Sequence, residues 1–526
     1  MRAQRGTRSR RDRSRRLRRG IFAAAHDIPW PGRERHTLVP GRTPEQRNPD
    51  GASEPARRAK REPRDAVVDP LVVADARAVA TAGAVTATGT VTTTGTVTDT
   101  GPVAERPSQR GDGRTQRDLA ALVVLGVCAI GASAALMFPR HSVHPLATAA
   151  AVWVLIRLAI MWIYKPTRRP VPPGFARSVR AAALVPAYNE DPASVLATLR
   201  SLESQTRAPD RVFFIDDGSK DRSAVDAARD HARQSSLDIQ VIALTENRGK
   251  RFAQDAAWAR TRPGEFDVWL FIDSDTTLAD DAIERMLETF ADERIDAATS
   301  LILPRNRNSV FARLQETEYA NGILFERALA GVLGAVPVMS GGFCAVRDAV
   351  VFWNRRRYLE GYWGQHISDD RHLAILAGAT GRVVTQTAAR SYTEAPTHWR
   401  PYLKQRIRWQ RGAWIGQFWT IAHLPANRWM WWVVAGQIAV FPAALTLIVI
   451  ALAVVPLSKV VALWAYVAVL VLARSLRYLA EPHPRPFVQY AAWLTTPFQQ
   501  LVGLFVLTPL KVYALATCRR GSWGTR

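Results

Sequence analysis

Four short motifs in this chain combine residue types that can do chemistry: Asp216-Asp217-Gly218-Ser219, Asp273-Ser274-Asp275, Ser368-Asp369-Asp370 and Gln405-Arg406-Ile407-Arg408-Trp409. The first follows the apolar run Val212-Phe213-Phe214-Ile215, so its carboxylates stand at a strand tip with a glycine turn behind them. Placed there, they can accept hydrogen bonds from a base N–H or from ribose hydroxyls. The second follows Trp269-Leu270-Phe271-Ile272. Its two carboxylates are one residue apart in an extended stretch and point to the same side. Such a pair can share Mg2+ or Mn2+, hard cations that prefer oxygen, with the oxygens of a phosphate. Ser368-Asp369-Asp370 leads into the helical stretch Leu373–Ala377. Adjacent carboxylates need nearby cations or a shared proton to coexist, and one of them beside an acceptor hydroxyl can serve as general base. Gln405, Arg408 and Trp409 fall at i, i+3 and i+4 of a helix and share one face. That face offers an amide, a guanidinium for phosphate oxygens and an indole on which a sugar ring can stack.

Each motif also has a plainer reading. Asp and Gly are ordinary turn formers, acids at a helix start are favoured by the helix dipole, and Arg with Trp is common beside membranes. The weight comes from the four occurring together. Two weaker elements accompany them. Asn247-Arg248-Gly249-Lys250-Arg251 is a glycine among basic residues that can hold a diphosphate or be a basic loop. Ser340-Gly341-Gly342 can let the backbone approach an acceptor closely. His372 reads better as a structural histidine than as a catalytic one.

The motifs must be positioned by elements, and the sequence supplies candidates. Strands are expected at Ala181–Pro186, Val212–Ile215, Ile239–Leu244 and Val268–Ile272, alternating with helical stretches. Asp191-Pro192 is a helix start, with Asp as N-cap and Pro at the first helical position, and Val195, Leu196, Leu199 and Leu202 then share a face. This alternation predicts an α/β domain over residues 175–410 with a mostly parallel, doubly wound, Rossmann-like sheet. In such sheets ligands sit beyond the carboxyl ends of the strands, where the acidic motifs fall.

Apolar segments flank that domain. Residues 119–138 and about 144–164, within 117–166, are long enough to cross ~30 Å of hydrocarbon as helices. Trp162 and Tyr164 followed by Lys165, Arg168 and Arg169 look like a cytoplasmic edge, and Arg157 is costly in a span unless it faces protein. Two spans put the α/β domain on the same side as the basic N-terminus, inside the cell at the plasma membrane. Residues 411–429 suit an interfacial helix. Residues 430–517 supply further spans, at 430–456, at 460–480 and across 487–517, making five in all; 518–526 is a tail.

The formal net charge is +24, and residues 1–64 hold nineteen Lys and Arg against seven Asp and Glu. Residues 1–116 run from Arg clusters into an Ala/Val/Thr/Gly tract with the repeat Gly89-Thr-Val-Thr and Gly95-Thr-Val-Thr. With few large apolar residues to offset the entropy of ordering, this reads as a disordered cytoplasmic tail. No aromatic residues interleave its arginines, so nucleic acid is not an expected partner, and no protein partner is indicated. Cys128, Cys344 and Cys518 are far apart and imply neither a disulfide framework nor a zinc site.

In this order and between membrane blocks, the motifs resemble those of the processive family 2 glycosyltransferases, which include cellulose, chitin, chito-oligosaccharide and hyaluronan synthases. Over roughly 140–480 the similarity is greatest to the hyaluronan/chito-oligosaccharide branch. It is carried by Asn321-Gly-Ile-Leu-Phe-Glu-Arg327, Ser340-Gly-Gly-Phe-Cys-Ala-Val-Arg347, Asp369-Asp-Arg-His-Leu373 and Tyr402-Leu-Lys-Gln-Arg-Ile-Arg-Trp409. The resemblance implies a cytosolic GT-A catalytic domain between transmembrane helices and inversion at the anomeric carbon. It also implies a UDP-sugar donor, with UDP-N-acetylglucosamine favoured, and a growing β-linked polysaccharide that leaves through the bilayer. By matched motif, Asp216 and Asp217 would bind the uridine part, Lys250 and Arg251 would lie near the diphosphate, and Asp273 and Asp275 would hold nucleotide and metal. Asp370, with Asp369 beside it, would be the base. Gln405, Arg408, Trp409, Ser340 and Gly341 would frame the diphosphate and the acceptor. The family's Thr-Glu-Asp or Gly-Asp-Asp reads Ser368-Asp369-Asp370 here. A non-processive transferase acting on a lipid carrier is the alternative; Gln405-Arg408-Trp409 and the spans on both sides argue against it.

Overall fold

The computed structural model describes residues 152–519 apart from 154, 158, 161–163, 168–169, 308, 455–456 and 483–484. The expected basic tail, the apolar segment 119–138 and the start of the second one lie outside the described residues.

Four expected strands form: β1 (Ala181–Ala187), β2 (Arg211–Asp216), β3 (Ile239–Ala243) and β4 (Val268–Ile272). They pair in parallel. Strands β1, β2 and β4 are nearly uninterrupted apolar runs because both sheet faces are covered. Leu184, Phe213 and Phe271 enter one core, which α3 (Lys250–Trp258) caps with Ala253, Ala257 and Trp258. Val185, Phe214 and Leu270 enter the other, under α1 (Pro192–Glu203), α2 (Ser223–Gln234) and α4 (Ala282–Glu288). Helix α1 starts as its sequence dictates, with the Asp191 carboxylate accepting from the Ser194 N–H at 2.9 Å and Pro192 in the first turn.

The remaining strands are β5 (Thr277–Leu278), β6 (Ile295–Pro304), β7 (Phe343–Arg347) and β8 (Arg382–Thr393), and the sheet order is β3-β2-β1-β4-β7-β6-β8-β5. Strand β7 runs against both β4 and β6, and β5 runs against β8. The sheet is therefore a mixed, Rossmann-like GT-A sheet, less uniformly parallel than the strand–helix alternation implies. The reversal has a consequence for the site. Antiparallel pairing sets Phe343 opposite Ile272, so the Ser340-Gly341-Gly342 turn enters the sheet beside the acidic tip of β4.

Helix α5 (Val310–Asn321) continues through a π-helical segment, Gly322–Arg327. Next come α6 (Asp348–Glu360), α7 (Asp369–Thr380) and α8 (Trp399–His423). The boundary placed at residue 410 falls inside α8, which runs 25 residues without a break. It stops where Leu424 turns extended, ψ 142°, ahead of Pro425, the conformation a following proline imposes. Residues 411–423 thus continue the motif-bearing helix. Beyond it lie α9 (Trp429–Val454), α10 (Leu457–Arg474), and α11 (Thr496–Val502), which joins α12 (Thr508–Ala516) through a π-helical turn. Among the described residues, Trp429–Thr446 and Thr496–Ala516 are long and apolar enough to cross a membrane. The second of these is separated from the preceding helix, Pro486–Leu494, at Thr495, two residues before Pro497.

Candidate active site

The site lies beyond the carboxyl ends of β1, β2 and β4. At the tip of β2, Asp216 is buried and accepts from the Arg222 guanidinium at 2.6 Å and from the Ser219 N–H at 3.2 Å. Asp217 accepts from the backbone N–H of Arg248 at 3.0 Å and of Gly249 at 2.8 Å. Burial pushes the Asp217 carboxyl up, and these two donors pull it back in part. Gly218 has φ +69°, and a Cβ there would stand 2.4 Å from the Glu246 carbonyl carbon. Only glycine fits, so the first motif is also the fastening that fixes the loop leading into α3.

That fastening aims Lys250. Its ammonium lies 2.6 Å from Asp273 Oδ1 and 3.2 Å from Asp369 Oδ2, joining the second motif to the third. Burial opposes the charge on Lys250, but Asp273 and Asp369 outweigh it and hold the amine well above its ordinary value. Asp273 sits at the mouth, its side chain 37 % exposed. Desolvation raises its carboxyl to about 6, with Asp275 adding to the rise and Lys250 opposing it. The other Asp273 oxygen faces Gly341, where a Cβ would come within 3.1 Å. Ser340 is buried beside it, donating from its N–H to Thr299 Oγ1 at 2.6 Å and accepting from Arg327 at 2.9 Å.

Ser368 precedes α7 in the left-handed region, φ 48° and ψ 65°, an uncommon and costly conformation for a non-glycine residue. Immediately after it, the two carboxylates differ. Burial raises Asp369, but the charges of Lys250 and Arg251 reverse this and leave it lowered. Asp370 is raised by burial and then by the neighbouring Asp369. One carboxylate is thus committed to a cation, and the other is a stronger base than usual. Environments that push two acids apart in this way assign their roles. Arg327, on the π-helical segment, is lowered to about 10 by burial, with Asp370 acting in the opposite sense.

Two placements depart from the residue-type reading. Arg251, grouped with Lys250 near a diphosphate, instead turns into the core, 2 % exposed, behind the carboxylates. On α8, Gln405 is half-buried and Arg408 and Trp409 are exposed, but the residue that organises the face is Arg406. It is buried, pairs with Glu318 at 2.7 Å, and lies 4.3 Å from the Trp409 ring and 4.5 Å from the Tyr402 ring. Sequence reading passed over Arg406 because its partner is 88 residues away.

Comparison with known proteins gives the family. The pattern of Glycosyl transferase family 2 matches residues 182–352, and that of Glycosyl transferase family group 2 matches residues 269–476. The hyaluronan synthase of Streptococcus pyogenes is 32 % identical over 395 residues, which is 71 % of this chain and 88 % of that protein. The chain belongs to the family 2 glycosyltransferases. An N-acetylglucosaminyltransferase of Rhizobium sp. (strain N33) is 32 % identical over 352 residues, 65 % of this glycosyltransferase and 76 % of that protein. Among solved structures, the mannosyltransferase PcManGT from Pyrobaculum calidifontis, in complex with GDP-Man and Mn2+, has a TM-score of 0.44 and 18 % identity. The match covers 78 % of this chain and all of that one.

The glycosyltransferase links Asp216, Asp217, Lys250, Asp273, Asp369, Ser340 and Gly341 into one cluster beyond the strand tips. A divalent metal fits the acidic end of it. The oxygen donors are of the hard type that Mg2+ and Mn2+ take, and Asp273, raised first by desolvation and then by the charge of Asp275, has a second carboxylate two residues away that a cation could share. Among the described residues no cluster of three or more His, Cys, Asp or Glu that could hold a metal is found.

Proposed function

We propose that this membrane-associated glycosyltransferase moves a sugar, N-acetylglucosamine foremost, from a UDP-sugar onto a growing β-linked hyaluronan- or chitin-like polysaccharide, with inversion and with export of the polymer across the plasma membrane. The observation that carries the reading is the Lys250 bridge between Asp273 and Asp369, next to an Asp370 whose carboxyl is raised.

In this reading Asp370 takes the proton of the acceptor hydroxyl as the oxygen attacks the anomeric carbon from the side opposite UDP. Asp369, held ionised by Lys250 and Arg251, keeps Asp370 basic through its charge. Asp273 and Asp275 would hold Mg2+ or Mn2+, whose chemistry is to offset the charge gathering on the leaving diphosphate. Lys250 adds a fixed cation at the same place. Ser340 and Gly341, packed against Asp273, would frame the acceptor from the β7 side. Trp409, set by the Arg406 stack, offers its indole to the acceptor sugar, with Gln405 and Arg408 on the same helix face. Holding both substrates in line supplies much of the remaining acceleration.

The test is to supply the purified protein in lipid with Mn2+ or Mg2+ and radiolabelled UDP-N-acetylglucosamine, with and without UDP-glucuronic acid. Products are sized beside Asp370→Asn. Long product from the first sugar alone supports a chitin-like polymer, and dependence on both supports a hyaluronan-like one. Short lipid-linked product supports a non-processive transferase. No product from any UDP-sugar overturns the reading.

A further inference from the structure

We propose that Arg251 is the positioning residue of the catalytic loop, clamping the turn that aims Asp369 and Asp370 rather than touching the donor. The proposal rests on the transferase function argued above and adds to it a means of holding the base.

Arg251 follows Lys250 in the first turn of α3, so the two side chains leave the helix about 100° apart, as 3.6 residues per turn require. Lys250 reaches into the cleft, and Arg251 passes behind it. Its Nη1 donates to the Tyr358 carbonyl at the end of α6 at 2.6 Å, and its Nη2 to the Ile367 carbonyl at 2.9 Å. Nη1 also lies 2.6 Å from Nδ1 of His372 in the first turn of α7. Arginine keeps its protons in proteins, so Nδ1 of His372 must be the acceptor and the imidazole proton must reside on Nε2. Consistent with this, burial and then the Arg251 charge hold His372 neutral, well below its usual value. The guanidinium is further faced by the rings of Tyr358 at 4.7 Å and Tyr362 at 5.8 Å.

These contacts bracket the catalytic pair. Ile367 is the residue before Ser368, which holds the left-handed conformation that turns the chain toward the cleft. His372 lies two residues after Asp370. One planar, multiply donating cation thus grips both sides of the four residues 368–371, which begin at the strained Ser368 and run into α7, a geometry that guanidinium supports and ammonium does not. Such strain persists only where the surroundings over-determine it. The grip also places a second, buried positive charge near Asp369, in addition to that of Lys250.

The experiment compares Arg251→Lys, His372→Leu and His372→Asn with the parent enzyme in lipid nanodiscs, measuring kcat, the KM for UDP-N-acetylglucosamine and, separately, the Kd of UDP. A positioning role predicts that Arg251→Lys and His372→Leu lower kcat by about 10²-fold, the scale of a misplaced catalytic group. The KM and the UDP Kd should stay within about threefold of the parent. His372→Asn, whose side-chain oxygen can stand where Nδ1 stood, should recover most of the lost rate. Loss of UDP affinity in Arg251→Lys in proportion to the loss of rate, with His372→Leu as active as the parent, would assign Arg251 to the donor site and overturn the proposal. If Arg251→Lys fails to fold, the two His372 variants decide alone: parent-like turnover in His372→Leu overturns it. A parent enzyme that binds UDP yet transfers no sugar removes the function proposed above and this clamp with it. The parent control alone reveals that case.

Discussion

Lys250 is the side chain on which the second and third motifs converge, and its loss tests whether they work as one site. Without its ammonium, Asp273 and Asp369 would lose their shared cation. Lys250→Met should therefore lower kcat by about 10²–10³-fold, the range for removing one fixed electrostatic partner of a transition state. Initial rates on folded, size-excluded protein check this. Asp273 gives a pH prediction. Its carboxyl is raised to about 6, so the fold favours the protonated form. That group therefore adds stability below the ordinary carboxylate range, and the contribution is lost as pH rises through about 6. Metal and donor need the ionised form, so the affinity for UDP with Mn2+ should fall as pH drops through that point, by about tenfold per unit. Calorimetric titrations between about pH 7.5 and about pH 5 that gave a flat affinity would remove Asp273 from the ligand set. At this scale the sequence was informative about which residues matter and less so about what they face. Lys and Arg at 250 and 251 look equivalent by type, yet a single helical step sends one to the cleft and the other to the core. Arg406 was hidden for a related reason, since only the fold brings Glu318 to it.

Between elements, α8 also packs closely against Ser368 and the start of α7. A Cβ at Gly412 would stand 1.8 Å from Ser368 Oγ, and one at Gly416 would stand 2.5 Å from Arg371 Cδ. Gly412→Ala should push Ser368 and the carboxylates behind it, costing about 1–3 kcal/mol of stability as overpacking does and lowering turnover. Ser368→Gly in the same chain should recover both, because it removes the colliding hydroxyl and suits φ 48° without a left-handed penalty. Melting temperature and rate for the two single variants and the double variant check the coupling; additive losses would show that the two positions act separately. Strand legibility follows the same logic of what surrounds each residue. Strands β1, β2 and β4 are buried on both faces and read as apolar runs. Strand β6 carries Asp296, Thr299 and Ser300 in its interior, yet it is buried almost throughout. Its polar groups are satisfied by partners brought from elsewhere: Ser300 Oγ donates to the Phe343 carbonyl at 2.7 Å, and Thr299 Oγ1 receives the Ser340 N–H. A sequence window cannot see such partners, so β6, and with it the reversal of β7, escaped the pattern.

For the whole molecule, the question is how the segment before the catalytic domain is tied to the sheet. Tyr164 ends the expected second span and is buried against β8. Its hydroxyl donates to the Thr385 carbonyl and accepts from the Thr385 N–H, both at 2.9 Å. Gly331 leaves it room, since a Cβ there would come within 2.5 Å of that hydroxyl. Arg157, costly in a span unless it faces protein, meets Glu326 at 2.8 Å and lies 4.0 Å from the Phe325 ring. Glu326 is followed directly by Arg327, which donates to Ser340 at 2.9 Å. The N-terminal segment is thus fastened at two points, one of them a single residue removed from the site. Tyr164→Phe keeps the ring and removes both hydrogen bonds, leaving a buried donor and acceptor on β8 without that partner. The expected loss is about 1–3 kcal/mol, read as a lower melting temperature in nanodiscs, while UDP affinity stays at the parent level because no donor contact is altered. Adding Arg157→Leu should lower turnover as well, by releasing Glu326 beside Arg327. A double variant that melts early yet turns over at the parent rate would mean that this segment holds the enzyme together without reaching its site.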